Sequence, residues 1–380
     1  MSAPQIHGFC EPRFAGARAA FAANFTSGAD TGASFAATID GEFVVDIWGG
    51  FADAEGKRPW AEDTIINVYS TTKTMCALTA LLCADRGLID FAAPVAKYWP
   101  EFAQAGKDRV TVAHLMSHSA GLSGFDGKIA TEDLYDWEKV TTLLARQAPW
   151  WEPGTRSGYH AITQGYLVGE VVRRVSGKTL GTLFREEIAE PLGADFHIGL
   201  PAEHDHRVAD LIPPATSLGA ASAQNDIAKR TFAAVTLTAE EPKTTAWRRA
   251  EIPAAGGIGN ARSVALVQSV LVNGGVAKGK RILSEAGARR ALELQIENDD
   301  MVLGIPVRFG LGYGLPSAVA PFPNKNTAFW GGWGGSLIVC DYDARMTFSY
   351  VMNRMNSTTT GDARVSGLFG GLYAGLMQAA

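Results

Sequence analysis

Ser70 and Lys73 stand at the two ends of Ser70-Thr71-Thr72-Lys73, where the irregular segment 64–69 meets a strongly apolar run. In a helix this spacing puts a hydroxyl and an amine on one face, close enough to interact. The first helical turn also offers free backbone N–H groups and the positive end of the helix dipole, which favour negative charge developing beside the serine. An amine held neutral in a dry pocket can accept the serine proton, so the pair has the makings of an activated nucleophile. The same four residues also arise by chance, with Ser70 as a cap and Lys73 in solvent. Met75, Leu78, Leu81 and Leu82 weigh against that, because they bury the helix whose first turn carries Lys73, and a buried lysine needs a reason.

Two further stretches could complete such a site. Glu152-Pro153-Gly154-Thr155-Arg156-Ser157-Gly158-Tyr159 is a turn cluster that delivers a tyrosine just before a helix starting near Ile162. A phenol titrates near pH 10 (about 10 in model peptides), so Tyr159 serves as a base only beside a cation such as Lys73 or through a concerted transfer. Taken by itself it reads as a packing tyrosine. Phe329-Trp330-Gly331-Gly332-Trp333-Gly334-Gly335-Ser336 leads into a late hairpin, and glycines at a strand edge let a backbone approach a ligand. An N–H there could join that of Ser70 in holding an oxyanion; the plainer reading is a bulge with packed aromatics.

These residues need elements to position them. Residues 33–39 and 42–48 are rich in strand formers on either side of Asp40-Gly41, a two-residue hairpin signal. Residues 336–340 and 346–352 flank the turn-like 341–344 and read as a second hairpin of the same antiparallel sheet. Residues 364–378 close the chain at helical spacing, with Gly367, Gly370, Gly371 and Gly375 weakening the helix unless it packs closely, the sheet being the expected neighbour. Between the hairpins, helices are expected over 70–86, 112–117, 134–147, 162–175 and 264–273, several of them stopped by glycine. The expected fold is α/β (α+β): an antiparallel sheet flanked by terminal helices, built from residues 1–68 and 245–380, with a mainly helical region, 69–244, inserted and carrying Ser70, Lys73 and Tyr159.

Composition excludes several functions. The 380 residues are 47% hydrophobic and 19% charged, with a net charge of -5 and no basic cluster, which argues against a nucleic-acid partner. No apolar run reaches membrane-spanning length and the first eighteen residues do not read as a signal peptide, so a cytoplasmic location without membrane contact is expected. Cys10, Cys76, Cys83 and Cys340 show no metal or disulfide spacing; Cys76 and Cys83 would lie roughly 10 Å apart by helical rise, beyond a disulfide's reach. His197, His204 and His206 sit on what reads as polar loop, and His114 and His118 lack the glutamate of a metalloprotease helix, so no metal and no cofactor are expected. No Gly-x-Ser-x-Gly occurs, which removes the nucleophile elbow of the α/β-hydrolases. Among Phe125, Trp150, Trp151, Phe309 and Trp333, large aromatics that ordinarily bury, Phe125 and Trp333 are the ones expected near substrate.

Taken together and in order, these features resemble the serine β-lactamase and penicillin-binding superfamily, class C-like, and within it the family VIII carboxylesterases. His114-Leu115-Met116-Ser117-His118-Ser119-Ala120-Gly121-Leu122 is similar to that group's His-Leu-Leu-x-His-x-x-Gly-Leu segment, and Trp151-Glu152-Pro153-Gly154 to its x-x-Pro-Gly turn. The resemblance implies a β-lactamase-like fold with Ser70 as nucleophile, Lys73 as its activating amine and Tyr159 as the tyrosine of a Tyr-x-Asn motif. It matches Trp330-Gly331-Gly332 to the substrate-binding Lys-Thr-Gly or His-x-Gly triplet on the active-site strand and makes the N–H groups of Ser70 and Trp333 the oxyanion donors. Two departures stand out: Tyr159-His160-Ala161 lacks the Asn, and Trp330 replaces the cation that would meet a lactam carboxylate. Both favour a small-molecule ester as substrate. The rivals are a β-lactamase or DD-peptidase, an acyltransferase, and a penicillin-binding sensor that acylates without turnover; the oligomeric state is left open.

Overall fold

Both residues of the Asp40-Gly41 turn take positive φ, 54° and 86°, the backbone of a two-residue hairpin turn whose twist matches its strands. The computed structural model describes residues 4–214, 225–358 and 361–378. The hairpin belongs to a six-stranded sheet, numbered here in chain order: β1 (Ile6–Cys10), β2 (Gly32–Ile39), β3 (Glu42–Gly50), β4 (Thr327–Gly331), β5 (Leu337–Asp341) and β6 (Met346–Met352). Its spatial order is β1-β3-β2-β6-β5-β4, with every pairing antiparallel. The central pairing of β2 with β6 joins the two ends of the chain, Phe35 opposite Tyr350 and Ala37 opposite Phe348.

Both expected hairpins are therefore present in one antiparallel sheet, and the fold is the expected α/β arrangement of sheet, terminal helices and a mainly helical region. One face carries two terminal helices, α1 (Ala15–Thr26) and α5 (Ala363–Met377). The glycines of α5 face α1 more than the sheet: an added Cβ would lie 2.3 Å from Ala17 N at Gly371 and 2.4 Å from the Phe14 ring at Gly375. Close approach of α1 and the turn before it explains Gly367, Gly371 and Gly375, though not the exposed Gly370, and corrects the expectation that the sheet required them. On the other side lie α2 (Thr72–Asp85), α3 (Thr163–Ser176) and α4 (Ala261–Val272). Every residue of α2 from Thr72 to Cys83 is buried, and each large apolar side chain so removed from water contributes about 1.5–3 kcal/mol. A small sheet of Ile66–Asn67, Phe196–Ile198 and Gly257–Gly259 stitches the segment ahead of α2 to the segment ahead of α4. No helix among the described residues is long and apolar enough to cross a membrane, and the four cysteines are free thiols.

Candidate active site

The helix bearing the Ser-x-x-Lys pattern begins later than its sequence suggests. Ser70 lies in a 3-10 turn, Tyr69–Thr71, that runs into α2. Tyr69, just before it, is held at φ 44°, a left-handed backbone that costs a bulky residue energy and needs support from its surroundings. That support comes from its ring, 5.0 Å from that of Trp333, and its hydroxyl, which donates to Thr238 O at 3.1 Å.

Lys73, one turn on, is 1% exposed. Its Nζ lies 2.7 Å from Ala161 O, 2.9 Å from Ala254 O and 3.0 Å from Ser70 Oγ. Burial pulls this amine down to about 7. The Tyr159 hydroxyl is 2.6 Å from Ser70 Oγ, and the Tyr159 ring sits 4.9 Å from Lys73 Nζ. Burial pushes the phenol well above its ordinary value, against the opposing effect of its hydrogen bonds with Ser70 and Trp330. The structure thus brings together the three side chains that the sequence singles out, with an amine that readily loses its proton and a phenol that keeps its own. With two amine protons directed at the two carbonyls, a neutral Lys73 has its lone pair free for the Ser70 hydroxyl.

The glycine-rich stretch meets this turn from the sheet. An added Cβ at Gly332 would lie 2.2 Å from Val68 O and 3.3 Å from Ser70 N, so only glycine lets β4 end against the turn that carries Ser70. Among the described residues, neither the Ser70 N–H nor the Trp333 N–H has a hydrogen-bond partner. Ser70, Tyr159, Phe125 and Trp333 share a largely apolar cavity of about 510 Å³, walled also by Ile162, Phe232 and Leu237. Trp330, Gly331 and Gly332 do not line it. Trp330 stands behind Tyr159, stacked on His118 at 5.4 Å, and faces a second cavity of about 310 Å³ with Phe309 and Leu303.

Sequence reasoning missed the parts that hold Tyr159. His160 donates from Nδ1 to Gly158 O at 2.6 Å, accepts from Leu122 N at 3.0 Å on Nε2, and gives its own N–H to His118 Nδ1 at 3.1 Å. Burial keeps both rings neutral, pulling His160 down to about 3 and His118 well below its ordinary value. Ala161, where the resemblance leads one to expect an Asn, contributes its carbonyl to Lys73 instead. A histidine inside the Tyr-x-x triplet was the available signal. His114 and Thr111 cap one short helix reciprocally, and His197 bonds Asp195 at 2.9 Å. Among the described residues no group of three His, Cys, Asp or Glu could hold a metal.

The chain belongs to the beta-lactamase family, whose model matches residues 19–367. Across nearly its whole length it is similar to individual members. It is 37% identical over 397 residues to the Esterase/beta-lactamase LipL of Mycobacterium tuberculosis, covering 99% of this chain and 89% of that protein. The crystal structure of a family VIII carboxylesterase superposes with a TM-score of 0.93 at 46% identity, covering 98% of this chain and all of that one (100%). A penicillin-binding protein homologue from Caulobacter crescentus follows with a TM-score of 0.91 at 38% identity, over 98% and 100% of the two chains.

Proposed function

We propose that this protein is a carboxylesterase, a serine hydrolase that cleaves small carboxylic esters through an acyl intermediate on Ser70. The observation that carries this reading is the three-way contact at Ser70 Oγ, 2.6 Å from the Tyr159 hydroxyl and 3.0 Å from Lys73 Nζ, at the wall of an apolar cavity. Neutral Lys73 takes the hydroxyl proton as Ser70 attacks the ester carbonyl. The unpartnered N–H groups of Ser70 and Trp333 hold the tetrahedral oxyanion. Tyr159 then gives its proton to the departing alkoxide and recovers one from Lys73. Water, losing a proton to the same pair, releases the acid and restores Ser70.

The neutral ester class is supported by the relatives named as esterases and by what surrounds the cavity. A lactam carboxylate would call for a cation at position 330, where the chain has a buried tryptophan. A reducing, cytoplasmic setting is supported by four thiols that stay unpaired, three of them buried. Ser70→Ala should abolish turnover of a chromogenic short-chain ester while the circular dichroism spectrum is unchanged. Intact-mass analysis of the native enzyme with a fluorophosphonate should show one adduct, on the peptide containing Ser70. Full activity in the Ala variant, or an adduct elsewhere, would defeat the assignment.

A further inference from the structure

Tyr159 reaches Ser70 from a segment without regular secondary structure, residues 152–162, so the reach of its phenol depends on what fixes its backbone. The fixed point is Asp300, far along the chain. One carboxylate oxygen, Oδ1, accepts the Tyr159 N–H at 3.0 Å, the Val302 N–H at 2.9 Å and the Leu303 N–H at 2.8 Å. Asp300 is 2% exposed, and its second oxygen, Oδ2, is buried with no hydrogen-bond partner among the described residues. Neighbouring contacts zip the same two segments together: Met301 N donates to Ser157 O at 2.9 Å, and Arg156 Nη2 to Asp299 O at 3.3 Å.

A carboxylate with one oxygen saturated and the other orphaned is a costly way to close a loop. Turn closure alone needs an Asn or Ser acceptor, without the desolvation penalty of a buried charge. What the charge adds is strength, since bonds to an ionised acceptor are roughly twice as strong as neutral ones. One of the three bonds goes to the residue whose hydroxyl touches the nucleophile. The carboxylate also adds to the forces that keep the phenol protonated.

We infer that Asp300 is a positioning residue: by gripping the Tyr159 N–H while closing its own turn, it holds the phenol at hydrogen-bonding distance from Ser70. The inference rests on the catalytic reading of Tyr159 proposed above. Asp300 touches neither substrate nor reacting atoms and acts only through Tyr159.

The test compares Asp300→Ala and Asp300→Asn, each alone and combined with Tyr159→Phe, using p-nitrophenyl butyrate. Asp300→Ala should lower kcat by ~10–100-fold with KM changed by less than ~3-fold, the scale on which a displaced catalytic group acts. Asp300→Asn keeps an acceptor and should recover most of that loss. In the Tyr159→Phe background Asp300→Ala should change kcat by less than about 2-fold, because the group it positions is gone. A folded Asp300→Ala enzyme with native kcat overturns the inference, as does an equal fractional loss in the Phe background or no gain from Asn over Ala. If Asp300→Ala does not fold, Asp300→Ser, with a shorter single acceptor, is read against the same limits. Undiminished turnover in Tyr159→Phe alone would instead sink the catalytic reading itself, and that arm stands apart from every Asp300 variant.

Discussion

The proton of Ser70 has two neighbours to choose from, and burial moves them in opposite directions. It draws the Lys73 amine down to about 7 and raises the Tyr159 phenol, so in the proposed mechanism the amine accepts and the phenol donates in mildly alkaline buffer. For an ester whose leaving group does not titrate, log kcat/KM should climb with a slope of about one up to a midpoint near 7 and then level off. His118 and His160, held neutral by burial, do not supply that limb. Lys73→Met should remove it while lowering turnover by ~10²–10⁴-fold. The same group leaves a mark on stability. The folded chain sheds the Lys73 proton near 7, whereas the unfolded chain keeps it to the ordinary value of 10.5. Between those limits the unfolded state binds more protons, so stability rises with pH. Urea unfolding in neutral and mildly alkaline buffer should show a smaller rise in Lys73→Met than in the native chain, and equal rises would contradict a depressed amine. Ser70 and Lys73 were legible as a pair through their spacing at the head of an apolar helix, and Tyr159 only through its order relative to them and to the glycine-rich strand. Ala161, Ala254 and Asp300 were not, since a carbonyl looks the same on any residue and a carboxylate meets the Tyr159 N–H only after the chain has folded.

Elements were legible in proportion to how much local chemistry specifies them. The β2–β3 hairpin is fixed by Asp40-Gly41, whose positive φ values few residue pairs accept, and α3 ends where Gly177 turns left-handed at φ 72°. The small sheet has strands of two or three residues, too short for any period to show. The glycines of α5 carried a signal of close packing without naming the partner, and α1 answers that from the other end of the chain. Glycine positions make the distinction testable. Gly332→Ala would drive a Cβ into Val68 O and Ser336 Oγ, so β4 or the Ser70 turn must shift. The expected cost is about 1–3 kcal/mol of stability by overpacking and ~100-fold in kcat through displacement of the nucleophile. Gly370, exposed on α5 with nothing within 4 Å of an added Cβ, is the contrasting site. Gly370→Ala should leave kcat unchanged and gain up to about 1 kcal/mol of helix propensity, read as a higher Tm.

The larger of two buried hydrophobic clusters among the described residues runs through the helices of residues 69–244 and under the sheet built from both chain ends, so the two proposed parts share an interior. Beside the β2–β6 pairing and the α1–α5 contact, a buried polar cluster ties the ends together. Arg364, in the first turn of α5, is 4% exposed and spans four segments. Its Nη1 donates to Asp30 Oδ1 at 3.1 Å and to Arg354 O at 2.6 Å, its Nη2 to Gly334 O at 2.6 Å, and its Nε to Asp362 Oδ1 at 2.9 Å. Asp30, completely enclosed, also accepts from the Tyr350 hydroxyl on β6 at 2.6 Å. Such a cluster repays its desolvation only while every member has a partner. Arg364→Met strips the cation from Asp30 and should cost about 3–5 kcal/mol in chemical denaturation. Asp30→Leu combined with Arg364→Met removes both charges and should recover part of that loss, a coupling that independent surface residues do not show. Because Gly334 follows Trp333 directly, the single variant should also loosen the Trp333 N–H proposed to hold the oxyanion and lower kcat more than KM. A cost below ~1 kcal/mol, the scale of an exposed ion pair, would leave the closure of the two chain ends to the β2–β6 pairing and apolar packing.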